Sequence, residues 1–247
     1  MLDYQDSPLA VREDLTAAHR AAWKFIGGAG PTLESPVRLA IARETRIAGA
    51  CEYCRERKEA LSPYGVDGKH SGLGELTPAI EEVVHRVVTD PGRITQKWVS
   101  QMVDTGLGDQ TYVEVVGIVS VLAVVDTFTR ALGLPEHPLP EAVPGPATGR
   151  RPATAAHEGF FVPTVPTDGL QDDYADLYDT RHMVPSVQRT FSLVPDATRI
   201  SATLMKAHYM VYEKVPVYTD ADHDRSLSKI QMELLATRVS NHNDCFY

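Results

Sequence analysis

Residues 109–132, DQTYVEVVGIVSVLAVVDTFTRAL, constrain the fold more than any other stretch of the chain. Their valines favour strands by propensity. However, a run of about 20 residues without a turn signal is long for a strand, and Gly133 is a natural helix stop. The stretch is therefore predicted as one buried helix, which other helices must cover. Gly117 inside it is expected to permit close packing. The uncharged apolar run at 115–125 is too short to span a bilayer.

Covering helices can be read from apolar spacing. Leu15, Ala18, Ala22, Trp23 and Ile26 form one face of a helix that ends at the GGAGP run, read as a turn. Ser35 and Pro36 suit a helix entrance, with Ser as N-cap and Pro at N1. The following VRLAIARETRIAG alternates small or apolar residues with arginines and breaks at Gly49. A charged helix begins around Cys51, and residues 64–74 read as a glycine-containing loop. Thr77–Pro78 opens another helix with Ile80, Val83, Val84, Val87 and Val88 on its apolar side, and a short helix is expected at 94–103. Eight prolines between 134 and 166 forbid long helices there. Residues 174–194 read as interrupted helix and 198–211 as helix. Residues 226–239 read as a helix burying Ile230, Leu234, Leu235 and Val239. The fold class is thus all-α. The expected division is 1–134, a Pro-rich linker or ordered arm at 135–166, and a second helical unit at 167–247.

The chemistry concentrates at Cys51 and Cys54, a C-x-x-C pair in a chain with 3 cysteines. At the first turn of a helix, such a pair lies within disulfide reach. Its thiolate also lies near unpaired N–H groups and the positive helix end, which lower its pKa. Arg55, Arg57 and Lys58 add to this and Glu52 opposes it. Peroxide reduction needs a nucleophilic thiolate and a resolving cysteine, and this spacing supplies both. Structural or inert thiols are the alternative. No metal or other cofactor is expected: zinc needs two further ligands, and neither a second C-x-x-C nor a close histidine pair is present. Glu82 and His85, i,i+3 on one helix, are read as surface residues. Asp222, His223 and Asp224 are read as loop and cap, and Tyr112 and Glu114 as candidates for a pocket.

The order of helix, small-Gly-small, C-x-x-C and helix, followed by TYVEVVGIVSVLAVVDTFTRALG, resembles the carboxymuconolactone decarboxylase/alkylhydroperoxidase D (AhpD)-like superfamily over residues 35–134. A partial second likeness covers 198–247, where LSKIQMELLATRVSNHNDCFY resembles the helix leading into another family motif. The resemblance implies a duplicated AhpD-like helical bundle whose second unit is incomplete within this sequence, and an oligomeric assembly. It also implies a hydroperoxide-reducing dithiol in which Cys54 attacks and Cys51 resolves. The family's relay histidine would fall at Lys58 and its relay glutamate at Leu39. Glu44, seven residues before Cys51, faces the same side if its helix continues through Gly49. In the second unit Glu233 lies twelve residues before Cys245 and His242 three before it. The next family cysteine would follow Tyr247 directly.

The leading expectation is a thiol-dependent oxidoreductase of the peroxidase, antioxidant type, or one specialised away from peroxide reduction. Its substrate would be a hydroperoxide or other small organic molecule, and an external dithiol its reductant. A non-redox lyase or isomerase using His/Glu acid–base chemistry is a second reading, and a catalytically inactive binding or assembly protein a third. The formal charge of −9 argues against nucleic-acid binding through a basic surface. No signal peptide or membrane partner is expected, and the cysteine usage suits the cytoplasm.

Overall fold

The computed structural model describes residues 2–171, 174–180, 183–210, 214, 225–243 and 245. Among these the chain is helical, with a lone antiparallel bridge between Ala156 and Thr164. The helices are α1 (Glu13–Gly27), α2 (Ser35–Ala48), α3 (Glu52–Glu59), α4 (Pro78–Thr89), α5 (Gln96–Met102), α6 (Asp109–Ala131), α7 (Ser186–Arg189), α8 (Pro195–His208) and α9 (Lys229–His242).

The valine-rich run is the central helix α6, bounded by Gly108 and Gly133, both at positive φ. By length and composition α6 could cross a bilayer, but 61% of its most apolar window is buried inside the bundle. Val115, Ile118, Val121, Leu122 and Val125 are buried because α1, α2, α4 and α8 pack around them. Burial from several sides outweighs the modest helix propensity of valine. At Gly117 a Cβ would lie 3.2 Å from the Cβ of Ala197 on α8, so the glycine does permit close helix contact.

Charges inside this core are paired. Arg38 of α2 meets Glu114 of α6, and Glu114 also accepts from the Thr32 amide and hydroxyl at 2.9 and 2.7 Å. Arg46 forms a bidentate pair with Asp126, both bonds 2.9 Å. Arg38 and Arg46 of α2 thus serve the bundle interior, while Arg43 pairs with Glu75 at the surface. Glu114 belongs to this structural pair. Tyr112 lines an apolar cavity of about 360 Å³ with Val113, Val116, Phe160 and Phe161.

Three local expectations are corrected. Ser35 is already helical and does not cap; its hydroxyl donates to Gly27 O at 2.6 Å and accepts from the Val143 amide. Among the described residues of 174–194, the only α-helix is the single turn of α7. There the Tyr178 hydroxyl donates to Val165 O instead of lying on a helix face. The apolar residues of α9 are not buried: Ile230, Leu234, Leu235 and Val239 are 76%, 62%, 55% and 60% exposed. His208 closes α8 on the exposed side, with Nε2 2.7 Å from His19 Nε2. The Pro-rich stretch is an ordered arm. Pro138 O accepts from Trp23 Nε1 at 2.8 Å, and the Val143 and Thr148 amides donate to Gly27 O and Gly30 O.

Candidate active site

Four segments meet around the C-x-x-C pair. Gly49 keeps a helical conformation (φ −63°, ψ −21°), and the chain then turns so that Cys51 is the extended N-cap of α3. Cys54 sits in the first turn of α3. Both thiols are reduced, 2% and 3% exposed, with their sulfurs 3.6 Å apart. The C-terminal half of α2 supplies Glu44, α4 supplies Glu82 and His85, and the 66–75 loop supplies His70.

Cys54 Sγ lies 3.3 Å from the Nδ1 of both His70 and His85. The far nitrogen of each ring meets a carboxylate: His85 Nε2 is 2.7 Å from Glu44 Oε1, and His70 Nε2 is 2.8 Å from Glu82 Oε2. Those carboxylates are anchored in turn. Glu44 accepts from the Leu73 amide at 2.9 Å, and Glu82 accepts a bidentate pair from Arg57 at 2.9 Å plus a bond from Trp98 Nε1. Cys51 Sγ accepts from the Ser71 amide at 3.4 Å and lies 3.8 Å from His70 Nδ1. Glycine at residue 72 lets the loop cross this close without displacing the glutamate side chains beneath it. A Cβ there would fall 1.9 Å from Glu81 Oε1 and 2.7 Å from Glu44 Oε1.

The electrostatics follow from these contacts. Burial alone would raise the Cys54 pKa, but hydrogen bonds from His70 and then His85 outweigh it and bring it down to about 6. His70 is the counterpart. Burial would lower its pKa, while Cys54 and Glu82 raise it to about 10. Glu82, despite burial, is held at about 2 by His70 and Arg57. At neutral pH the Cys54–His70 pair therefore shares its proton as thiolate and imidazolium. Cys51 is also pulled below the ordinary thiol value: burial acts upward, and the Ser71 amide leads the opposing contacts. His85 is raised by Cys54 and Glu44 against the downward effect of burial.

The sequence-predicted residues divide sharply. Cys51, Cys54 and Glu44 come together, although Glu44 reaches the sulfur through His85 and not directly. Leu39 is packed in the core, and Lys58 points outward from α3. Glu82 and His85 are not surface residues: His85 is fully buried and Glu82 is mostly covered. The count of missing ligands is also corrected, because His70 and His85 join the cysteines so that all four donor atoms lie within 4.8 Å of one another. His70, Glu82 and His85 were not assigned to the site from the sequence, and Arg57, expected to favour the thiolate, does its holding through Glu82. The available signal was a single C-x₂-C-x₁₅-H-x₁₄-H order, with spacers longer than those of common zinc modules.

Glu233, His242 and Cys245 lie elsewhere. Glu233 accepts from the Tyr209 hydroxyl, while His242 and Cys245 are exposed at the end of α9. Asp222, His223 and Asp224 lie outside the described residues.

The fold and site together define an all-α bundle with a covered dithiol held between two carboxylate-backed histidines. Comparisons with protein-family models, with curated proteins and with solved structures find no match for this chain.

Proposed function

We propose that this protein is a thiol-dependent oxidoreductase of alkylhydroperoxidase-like type, working through Cys54 and Cys51. The observation that carries the reading is Cys54 Sγ placed 3.3 Å from two imidazoles, each backed by a glutamate. A thiol with pKa about 6 is about 90% thiolate at pH 7, whereas an ordinary thiol is a few per cent ionised. Glu44 and His85 supply a carboxylate–imidazole–thiol chain in place of the relay that Leu39 and Lys58 lack. The AhpD-like character of the bundle and its duplication belong to the same proposal.

The steps balance as follows. The Cys54 thiolate attacks the terminal oxygen of a hydroperoxide and the O–O bond breaks. The departing alkoxide takes a proton from the His70 imidazolium and leaves as an alcohol, with Cys54 now a sulfenic acid. His70 then accepts the Cys51 proton, and the Cys51 thiolate attacks Cys54 Sγ. The S–O bond breaks, and the departing hydroxide is protonated to water. Two thiols and one hydroperoxide thus give one disulfide, one alcohol and one water, and an external dithiol restores the pair by exchange. The 66–75 loop covers the sulfurs with His70 and the Ser71 amide, and its residues 67–69 and 71–75 are exposed.

Thiol titration before and after one equivalent of an alkyl hydroperoxide tests this reading. Loss of two thiols with recovery by dithiothreitol is expected, together with loss of the reaction in Cys54→Ser. Full hydroperoxide-driven oxidation in Cys54→Ser would sink the mechanism.

A further inference from the structure

The donors around Cys54 also have the shape of a metal centre. Four atoms face a common point: Sγ of Cys51 and Cys54, and Nδ1 of His70 and His85. The separations between them include 3.3 Å twice, 3.6 Å and 3.8 Å. A tetrahedral zinc ion, with bonds of about 2.3 Å to sulfur and about 2.0–2.1 Å to nitrogen, sets its ligand atoms roughly 3.3–3.8 Å apart. The cluster therefore needs little movement to close around an ion.

A second, independent observation concerns the other side of each ring. Glu82 and Glu44 accept from the Nε2 of His70 and His85, so each Nδ1 faces the sulfurs and offers its lone pair to an ion once the ion displaces any proton held there. Carboxylates on the far nitrogen are how proteins orient metal-bound histidines and raise their basicity. Two such braces on two histidines that share a dithiol are more than one proton relay requires. Charge also fits: two thiolates neutralise a divalent cation in a space where both cysteines are almost fully covered. The donor set of two thiolates and two imidazoles suits zinc and its tetrahedral analogues, not magnesium or calcium.

We propose that the reduced protein holds one zinc-class divalent ion between Cys51, Cys54, His70 and His85, and that oxidation of the dithiol by a hydroperoxide expels it. The ion site stands on the geometry alone; its release rests on the redox reading above. Release follows from bonding. Forming the disulfide brings the sulfurs from 3.6 Å to about 2.05 Å and removes both thiolate ligands, leaving two imidazoles. The bound dithiolate, one hydroperoxide and two protons give the disulfide, an alcohol, water and the free ion. Metal occupancy would then report, and guard, the reduced state of the pair.

Cobalt(II) is the probe. The full-length chain is reduced, stripped with a chelator and titrated with Co²⁺. Saturation at one equivalent, a sulfur-to-cobalt charge-transfer band and the intense visible bands of a tetrahedral ion are expected, with zinc displacing the cobalt. The weak spectrum of an octahedral ion, or saturation unchanged in His70→Ala, overturns the ion site. Glu82→Gln keeps all four ligands and is expected to bind Co²⁺ about 10- to 100-fold more weakly; wild-type affinity there argues against the braced geometry. Circular dichroism of each variant separates lost binding from lost folding.

One equivalent of alkyl hydroperoxide is then added and released cobalt is measured with a coloured chelator beside the thiol count. One ion freed per two thiols lost is expected. Thiols that oxidise in a protein showing no tetrahedral cobalt overturn the metal proposal and leave the redox reading standing. Tetrahedral cobalt that survives with both thiols intact, while the metal-free protein loses both to the same hydroperoxide, overturns release and leaves the redox reading standing; thiols that stay intact in the metal-free protein as well overturn the redox reading.

Discussion

Cys54 and Cys245 each end a short sequence with a glutamate upstream, and their surroundings could hardly differ more. Cys54 lies under the 66–75 loop where α2, α3 and α4 meet, between two histidines. Cys245 follows α9 in the open, its amide bonded to Ser240 O and its glutamate, Glu233, engaged with Tyr209. Spacing along a helix sets which side chains can share a face. Whether that face becomes a site depends on what packs over it. In α9 nothing among the described residues covers Ile230 or Val239, so the same kind of motif stays a surface feature.

Removing the sulfur should separate the two regions most strongly. Cys54→Ser is expected to slow hydroperoxide-driven thiol loss by about 100-fold or more, because the nucleophile itself is gone. Cys245→Ser should stay within about twofold in the same stopped-flow assay. Equal losses from both would erase the distinction.

Next in size is the cost of breaking the buried brace. Glu44→Ala leaves His85 Nε2 and the Leu73 amide without their acceptor in a covered site. A loss of about 3 kcal/mol in urea unfolding is expected. Glu233→Ala, on the exposed side of the comparison, should cost less than about 1 kcal/mol. A small effect at Glu44 would mean that water reaches its partners.

A subtler contrast lies in pH. The Cys54 thiolate is favoured by its imidazole partners, so it persists above about pH 6 and is lost as pH falls through that value. Iodoacetamide labelling of Cys54, followed by mass spectrometry, should reach half its plateau rate near pH 6. His70→Ala should move that midpoint upward by about one pH unit or more, since its hydrogen bond leads the lowering contacts. An unmoved midpoint would assign the activation to His85 or to the helix end.

The smallest effect expected is at Leu234→Gln. This change on the open face of α9 should alter stability by less than about 0.5 kcal/mol, measurable in the same denaturation series. A larger loss would show that the face is covered in solution.

Much of the helical frame was legible because its signals are local. Prolines and glycines mark where α2, α4 and α6 start or stop, and the 3.6-residue period marks their inner sides. The dithiol was legible for the same reason. Its histidines were not: His70 sits in a loop with no periodic pattern, and His85 adjoins the apolar stripe of α4 without belonging to it. Only the packing of α4 against α2 and α3 carries His85 and Arg86 inside along with Val83 and Val84. Residues 174–194 failed in the opposite direction. Their apolar residues suggested helix, but Leu177 and Tyr178 bury themselves from an irregular chain against Val165.

Gly72 gives the site two halves of unequal permanence. Glu44, His85 and Cys54 hang on helices. His70, and the amides of Ser71 and Leu73, hang on one strip of loop that passes over them, its glycine pressed against the Glu81 and Glu44 carboxylates. Lifting that strip would strip the sulfurs of one imidazole and one amide in a single motion, while the Glu44–His85 chain stayed assembled. Amide exchange at Ser71 and Leu73 would then keep time with exposure of the thiols, far ahead of the α2 backbone. The chain between α3 and α4 would be at once a wall of the site and its clock.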